Sequence, residues 1–246
     1  MSLSPQQRRY LKLMDIDVYV PRHGIAASES APVAEAIIAS PKLVDAAIPP
    51  SAAPVIPQSA DAEWEDLRRQ VPACTRCGLH SGRTQTVFGV GNPRAQWLII
   101  GEAPGAEEDK QGEPFVGRAG QLLNAMLAAI GLKREEVFIA NILKCRPPNN
   151  RDPKPEEAAA CAPFLQRQIA LIQPRIILAL GRIAAQNLLN TDTPIGKMRG
   201  QRYEYPNPKV PVVVTYHPAY LLRSPTEKRK AWEDLQVAVG VLREQT

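Results

Sequence analysis

From Asp61 onward, short continuous apolar runs alternate with longer stretches of helical spacing, the pattern of an α/β domain. The runs WLIIG, VFIANIL, RIILAL and PVVVT lack a regular polar face, which predicts strands buried on both sides. AEWEDLRRQV predicts a helix ahead of the first run. GQLLNAMLAAIGL predicts another, with Gly131 as its C-cap. PEEAAACAPFLQRQIALIQP has proline in its first turn and proline as its stop. RIAAQNLLN follows the third strand, and EKRKAWEDLQVAVGVLREQ closes the chain as an amphipathic helix. RGQRYEYPNPKVPVVVTYHP predicts a hairpin feeding the fourth strand, which ends at Thr215 or Tyr216. The expected fold is a three-layer α/β/α sandwich with a central four-stranded parallel sheet. Ligands of such sheets bind beyond the carboxyl ends of the strands.

The first 60 residues lack this patterning. Residues 25–60, rich in Ala, Pro, Ser and Val, offer no apolar periodicity and read as a disordered linker. Residues 1–24 form an arm with apolar positions at Tyr10, Leu11, Leu13, Met14 and Ile16. It is either a segment that docks onto another surface, such as a protein partner, or a frayed end, and the frayed end is the preferred reading. The folded domain is expected over residues 61–246.

Composition narrows the class. A formal charge of +5 permits an acidic partner such as DNA without requiring one. No run approaches a membrane span or a signal-peptide core, so a cytoplasmic protein with no membrane partner is expected. In that compartment thiols stay reduced. The four cysteines, Cys74, Cys77, Cys145 and Cys161, therefore read as metal or cluster ligands before disulfides. Their spacing lacks the second close pair of a zinc ribbon.

The candidate chemistry lies in the loops after the predicted strands. GEAPG follows the first, but it lacks both the G-K-[ST] of a P-loop and the G-x-G-x-x-G fingerprint. It offers open backbone N–H groups and the Glu102 carboxylate. The acidic run Glu107, Glu108 and Asp109 reads as a solvated turn, or as a fence beside a pocket. Phe115 sits in the glycine-rich PFVGRAG, as core or as a platform for a planar base. Asn141 interrupts an apolar strand, serving either a neighbouring strand end or a ligand's edge. His217, restricted by Pro218, is a surface histidine or a fixed imidazole able to donate to developing negative charge. Arg118, Arg146, Arg199, Arg202 and Arg223 neighbour these loops and, clustered at one edge, would suit phosphates.

Taken together, GEAPG-x-x-E-D, G-x-PFVGRAG-x-LL, N-x-x-KCRPP-x-N-R and HPAYLLR, with the cysteine spacing, resemble the family 4 (iron–sulfur) uracil-DNA glycosylases from about Trp64 to the C-terminus. The resemblance implies hydrolysis of the N-glycosidic bond of uracil in DNA and a 4Fe-4S cluster on Cys74, Cys77, Cys145 and Cys161. It implies that Phe115 stacks on uracil, Asn141 reads its N3/O4 edge and His217 bonds O2. Gly101, Glu102 and Ala103 would complete the cradle, Glu108 would crowd C5, and Glu102 would orient water or hold the loop. Ala103 stands where related enzymes carry a catalytic Asp. Leu221, Leu222 or Arg223 would fill the stack vacated by the extruded base. A monomer is expected. The competing readings are a non-catalytic or covalent-trapping relative, which would carry GEQPG and a KRRIH-type insertion absent here, and a Cys₄-metal scaffold protein.

Overall fold

The computed structural model describes residues 58–245 together with Arg8, Leu11, Lys12, Met14 and Ile16. In chain order the principal elements are α1 (Gln58–Gln70), β1 (Val90–Gly91), β2 (Trp97–Gly101), α2 (Ala106–Gln111), α3 (Arg118–Ala129), β3 (Phe138–Asn141) and α4 (Pro155–Ile172). They continue as β4 (Ile176–Leu180), α5 (Arg182–Leu189), α6 (Ile195–Met198), β5 (Arg202–Pro206), β6 (Lys209–Thr215), α7 (Pro218–Arg223) and α8 (Lys228–Arg243).

The sheet has six strands in the order β1-β3-β2-β4-β6-β5. Its centre is the expected parallel set: β2 pairs in parallel with β3 and β4, and β4 with β6. The two further strands are antiparallel edges, β1 against β3 and β5 against β6. β1 is two residues long, too short to show a period. β5 buries only Tyr205, so its sequence reads as one arm of a hairpin without declaring sheet membership.

The pleat sends alternate residues to opposite layers. Leu98 and Ile100 pack with Leu67 of α1, Phe164 and Ile169 of α4 and Leu188 of α5. Trp97 and Ile99 pack with Leu123 and Met126 of α3 and Leu235 of α8. This is the three-layer arrangement, with one apolar core on each face of the sheet.

The acidic run after GEAPG is not a solvated turn. It lies within α2, and Asp109 is buried, accepting the Thr84 N–H through both carboxylate oxygens at 3.0 and 3.1 Å. At the N-terminus, Leu11 and Met14 are buried, and Met14 belongs to the core on the α3/α8 face. A frayed end does not describe those two positions. The expected linker lies outside the described residues, except that its last three positions, 58–60, already belong to α1.

Candidate active site

Strands β2 and β3 end side by side, with Gly101 in register with Asn141. Pairing continues one step further, as Ile142 and Leu143 donate their N–H groups to the Gly101 and Glu102 carbonyls at 3.0 Å. A methyl group at Gly101 would run into Asn141 Oδ1 and would lie 2.7 Å from Phe115 Cζ. Glycine is therefore needed for the Asn141 amide and the Phe115 ring to close over the strand end.

Phe115 holds a left-handed φ of 54°, unfavourable for an aromatic residue. Two contacts enforce it. Gly120 lacks the Cβ that would strike the Phe115 carbonyl. Glu108 Oε1 accepts the Val116 and Gly117 N–H groups at 3.0 and 3.3 Å, clamping the loop to α2. Glu108 thus has a scaffold role that the sequence did not announce, while still lining the cleft.

His217 caps α7. The Ala219 backbone N–H donates to its Nδ1 at 3.1 Å, so in the neutral ring Nδ1 is the acceptor and Nε2 carries the proton. Burial, assisted by Arg223 and opposed by Glu108, brings the His217 pKa down to about 4, which keeps the ring neutral near pH 7. The ring lies 5.4 Å from the Phe115 ring, tilted by 30°. Gly181, at φ 91°, permits this approach: a Cβ there would sit 2.9 Å from His217 Cβ. The preceding strand end is tied down where Thr215 Oγ1 donates to buried Asp234 at 2.9 Å, and Arg199 ion-pairs with the same carboxylate at 3.0 Å.

These groups line a cleft of about 450 Å³ that gathers Glu102, Ala103, Glu108, Phe115, Asn141, His217 and Arg223 at the carboxyl edge of the sheet. Asn141 is 2 % exposed and its Oδ1 has no hydrogen-bond partner. A buried acceptor without a partner costs free energy unless a ligand supplies a donor. Burial raises the Glu102 pKa to about 7, reinforced by Asp152 and opposed by Arg182. Asp152 and Arg151 also line the cleft, and Asp152 is held by Arg182 at 2.6 Å. The sequence reading overlooked Asp152 and Arg182, because their pairing spans 30 residues and no local motif marks it.

Other candidates separate. Leu221 is fully buried in the α3/α8 core, so its apolar side chain packs the domain and is withdrawn as a wedge. Leu222 is partly buried against that core, and exposed Tyr220 lies at the cleft. Arg118 is exposed at the start of α3. Arg146 immediately precedes cleft-lining Pro147 and donates through Nε to Oδ1 of Asn150, another cleft residue, at 2.7 Å. Arg199 and Arg202 leave the expected arginine cluster: the first is committed to Asp234 and the second to Glu244 at 3.1 Å.

The four cysteines line one cavity beneath this edge, with Arg83, Lys144 and Phe164. Arg83 Nη1 donates to Cys145 Sγ at 3.1 Å, and the Lys144 N–H donates to Cys161 Sγ at 3.3 Å. Donors aimed at sulfur, and no carboxylate among the lining residues, fit an iron–sulfur cluster. Among the described residues no three His, Cys, Asp or Glu side chains converge as a single metal ion requires. A four-iron cube holds its thiolates at separate corners and so accepts a wider spread. Burial pushes the Cys161 thiol up to about 11 in the metal-free chain, so iron binding would displace a proton there.

The sheet order, the cleft at its carboxyl edge and the four gathered thiols define an α/β protein with a ligand cleft beyond its strand ends and a cysteine-lined cavity beside it. The sequence profile described as the Uracil DNA glycosylase superfamily matches residues 88–236. The chain is 48% identical over 184 residues to the Type-4 uracil-DNA glycosylase of Archaeoglobus fulgidus, covering 72% of this chain and 92% of that one. Against the Type-4 uracil-DNA glycosylase of Sulfurisphaera tokodaii it is 44% identical over 179 residues, 70% of this chain and 81% of the other. The corresponding protein of Thermotoga maritima is 44% identical over 184 residues, 74% and 95%. The chain belongs to the type-4 uracil-DNA glycosylases of that superfamily.

Proposed function

We propose that the protein extrudes uracil from DNA into the cleft and hydrolyses its N-glycosidic bond, leaving an abasic site. The observation that carries this reading is the His217 tautomer. A neutral imidazole with its proton on Nε2, fixed by the Ala219 amide, is a donor built to meet negative charge. As the glycosidic bond breaks, the electron pair leaves with uracil N1 and spreads onto O2. His217 donates to that oxygen, and the sugar becomes oxocarbenium-like. Phe115 stacks on the base, and the buried Asn141 amide meets the N3–H and O4 edge, giving its orphaned Oδ1 a donor. Backbone groups of Gly101, Glu102 and Ala103 close the cradle, and Glu108 stands on the wall where a C5 methyl would crowd it.

A water molecule supplies the new bond to C1′ and gives up one proton. Glu102 orients that water, and near pH 7 a large fraction of its carboxyl groups is ionised and able to accept the proton. Arg118, Arg146 and Arg223 engage phosphates, and Leu222 or Arg223 fills the vacated stack. Cys74, Cys77, Cys145 and Cys161 would hold a 4Fe-4S cluster, whose chemistry here is to cross-link the segments beneath the cleft. The enzyme acts as a monomer in the cytoplasm. Leu11 and Met14 are occupied within its own domain, so nothing at those positions favours docking to a protein partner.

Incubation with single-stranded, U:G and U:A oligonucleotides, followed by alkaline cleavage, tests the reading. Strand scission at uracil is expected, and intact strands from all three substrates would overturn it.

A further inference from the structure

Lys144 is out of place by ordinary rules. It follows the apolar run of β3, is 1 % exposed, and carries a charge into the protein interior. Its ammonium is nonetheless well placed. Nζ donates to the Asn141 backbone carbonyl at 3.0 Å and to Gln168 Oε1 at 2.6 Å. Gln168, itself fully buried on α4, donates onward to the Phe88 carbonyl at 2.9 Å. The Lys144 backbone is held as firmly: its N–H reaches Cys161 Sγ, and its carbonyl accepts the Val87 N–H at 2.8 Å. Cys145 is the next residue. One side chain therefore joins the peptide of the base-facing amide to α4, the helix that carries Cys161, from the residue next to Cys145.

We propose that Lys144, anchored by Gln168, is a positioning residue for base recognition. By holding the Asn141 carbonyl it fixes the peptide plane from which the Asn141 amide projects, and so links the geometry of the uracil pocket to the cysteine-bearing segment. The inference rests on the reading that Asn141 contacts uracil. A charged donor suits the task because a hydrogen bond from an ion is stiffer and stronger than a neutral one. A residue serving stability alone would alter folding without changing discrimination between bases.

The test measures equilibrium binding of the iron-loaded protein to a single strand bearing one 2′-fluorinated deoxyuridine, which resists hydrolysis. The comparison strand carries cytosine at that position. Asn141→Ala should abolish the preference for uracil. Lys144→Met should reduce it about tenfold, with affinity for the cytosine strand, iron content and visible absorbance retained. Gln168→Met, which leaves the bond to Asn141 but removes its anchor, should reduce it about threefold. If Asn141→Ala loses the preference while folded Lys144→Met keeps it, Lys144 is only structural and the inference fails. If the wild type shows no preference, or Asn141→Ala keeps it, the underlying reading fails and the inference with it. Should Lys144→Met not fold, Gln168→Met decides, and an unchanged preference there overturns the proposal.

Discussion

The Ala219 amide donates to Nδ1 of His217 across 3.1 Å, and this one bond chooses which ring nitrogen can act. With the pKa brought down to about 4, protonation of His217 contributes no loss of activity until the pH falls well below the ordinary histidine range. The stability sign follows from the same shift. The folded state resists protonation, so this site's contribution is intact above about 6.5 and is lost as pH falls toward 4. His217→Ala should lower single-turnover cleavage by about 10²–10³ while the protein stays folded and coloured. A decrease below tenfold would remove His217 from the chemistry.

Glu102 titrates in the opposite sense. Its pKa is raised to about 7, so its carboxyl group stabilises the fold most below the ordinary value of about 4.5, and that contribution is lost as pH rises through 7. Activity should move the other way, rising through pH 7 as the carboxylate forms. Glu102→Gln should therefore flatten the acid limb of the rate profile near 7 and also remove the loss of thermal stability between pH 4.5 and 7. Retention of the acid limb in the variant would assign that ionisation to another group.

Much of this architecture was legible in the chain because it follows from local patterning. WLIIG, FIAN, IILAL and VVVT are apolar on both faces and form the parallel centre of the sheet. Their carboxyl ends and the loops after them carry Asn141, Glu102 and His217 to a common edge by topology alone. What stayed hidden depends on contacts between distant positions. Asp109 looks solvated until Thr84, 25 residues earlier, is placed against it. Leu221 looks like an available wedge until the α3/α8 core closes over it. Lys144 shows only as a charge at the end of an apolar run, and its partner Gln168 lies 24 residues away on α4.

Gly101 should tolerate no side chain. The alanine methyl would enter the space of Asn141 Oδ1 and approach Phe115 Cζ to 2.7 Å, displacing the recognition amide, the stacking ring or both. Because the collision is with cleft residues, Gly101→Ala should melt close to the wild type but lose about 10²-fold in kcat/KM, the scale expected for a displacement near 1 Å. Wild-type kinetics in this variant would show that neither group has to sit where the structure holds it.

Glu108 offers a separation between scaffold and specificity. Its carboxylate clamps Val116 and Gly117, so Glu108→Ala should release the Phe115 loop and weaken uracil binding about tenfold through the ring it no longer holds. Glu108→Gln keeps an acceptor oxygen for the two amides and should retain most of that binding. If the wall at C5 is built by Glu108, the alanine variant alone should also begin to release thymine from DNA. Unchanged rejection of thymine by Glu108→Ala would assign methyl exclusion elsewhere in the cleft.

Removal of the cluster should be felt first in stability. Cys74 and Cys77 precede the sheet, Cys145 follows β3 and Cys161 lies in α4, so the thiols connect three segments that the backbone alone leaves far apart in sequence. Structural metal sites contribute directly to folding free energy, and a loss of about 3 kcal/mol corresponds to roughly 10 °C in a domain of this size. Cys161→Ser should bleach the visible absorbance, lower the iron content and reduce the melting temperature by about that amount. Exchange of backbone amides should quicken around Lys144, whose N–H is aimed at Cys161 Sγ, before it quickens in β4 at the sheet centre. A colourless wild-type protein containing zinc, or a variant as stable as the parent, would place a different group on these four thiols.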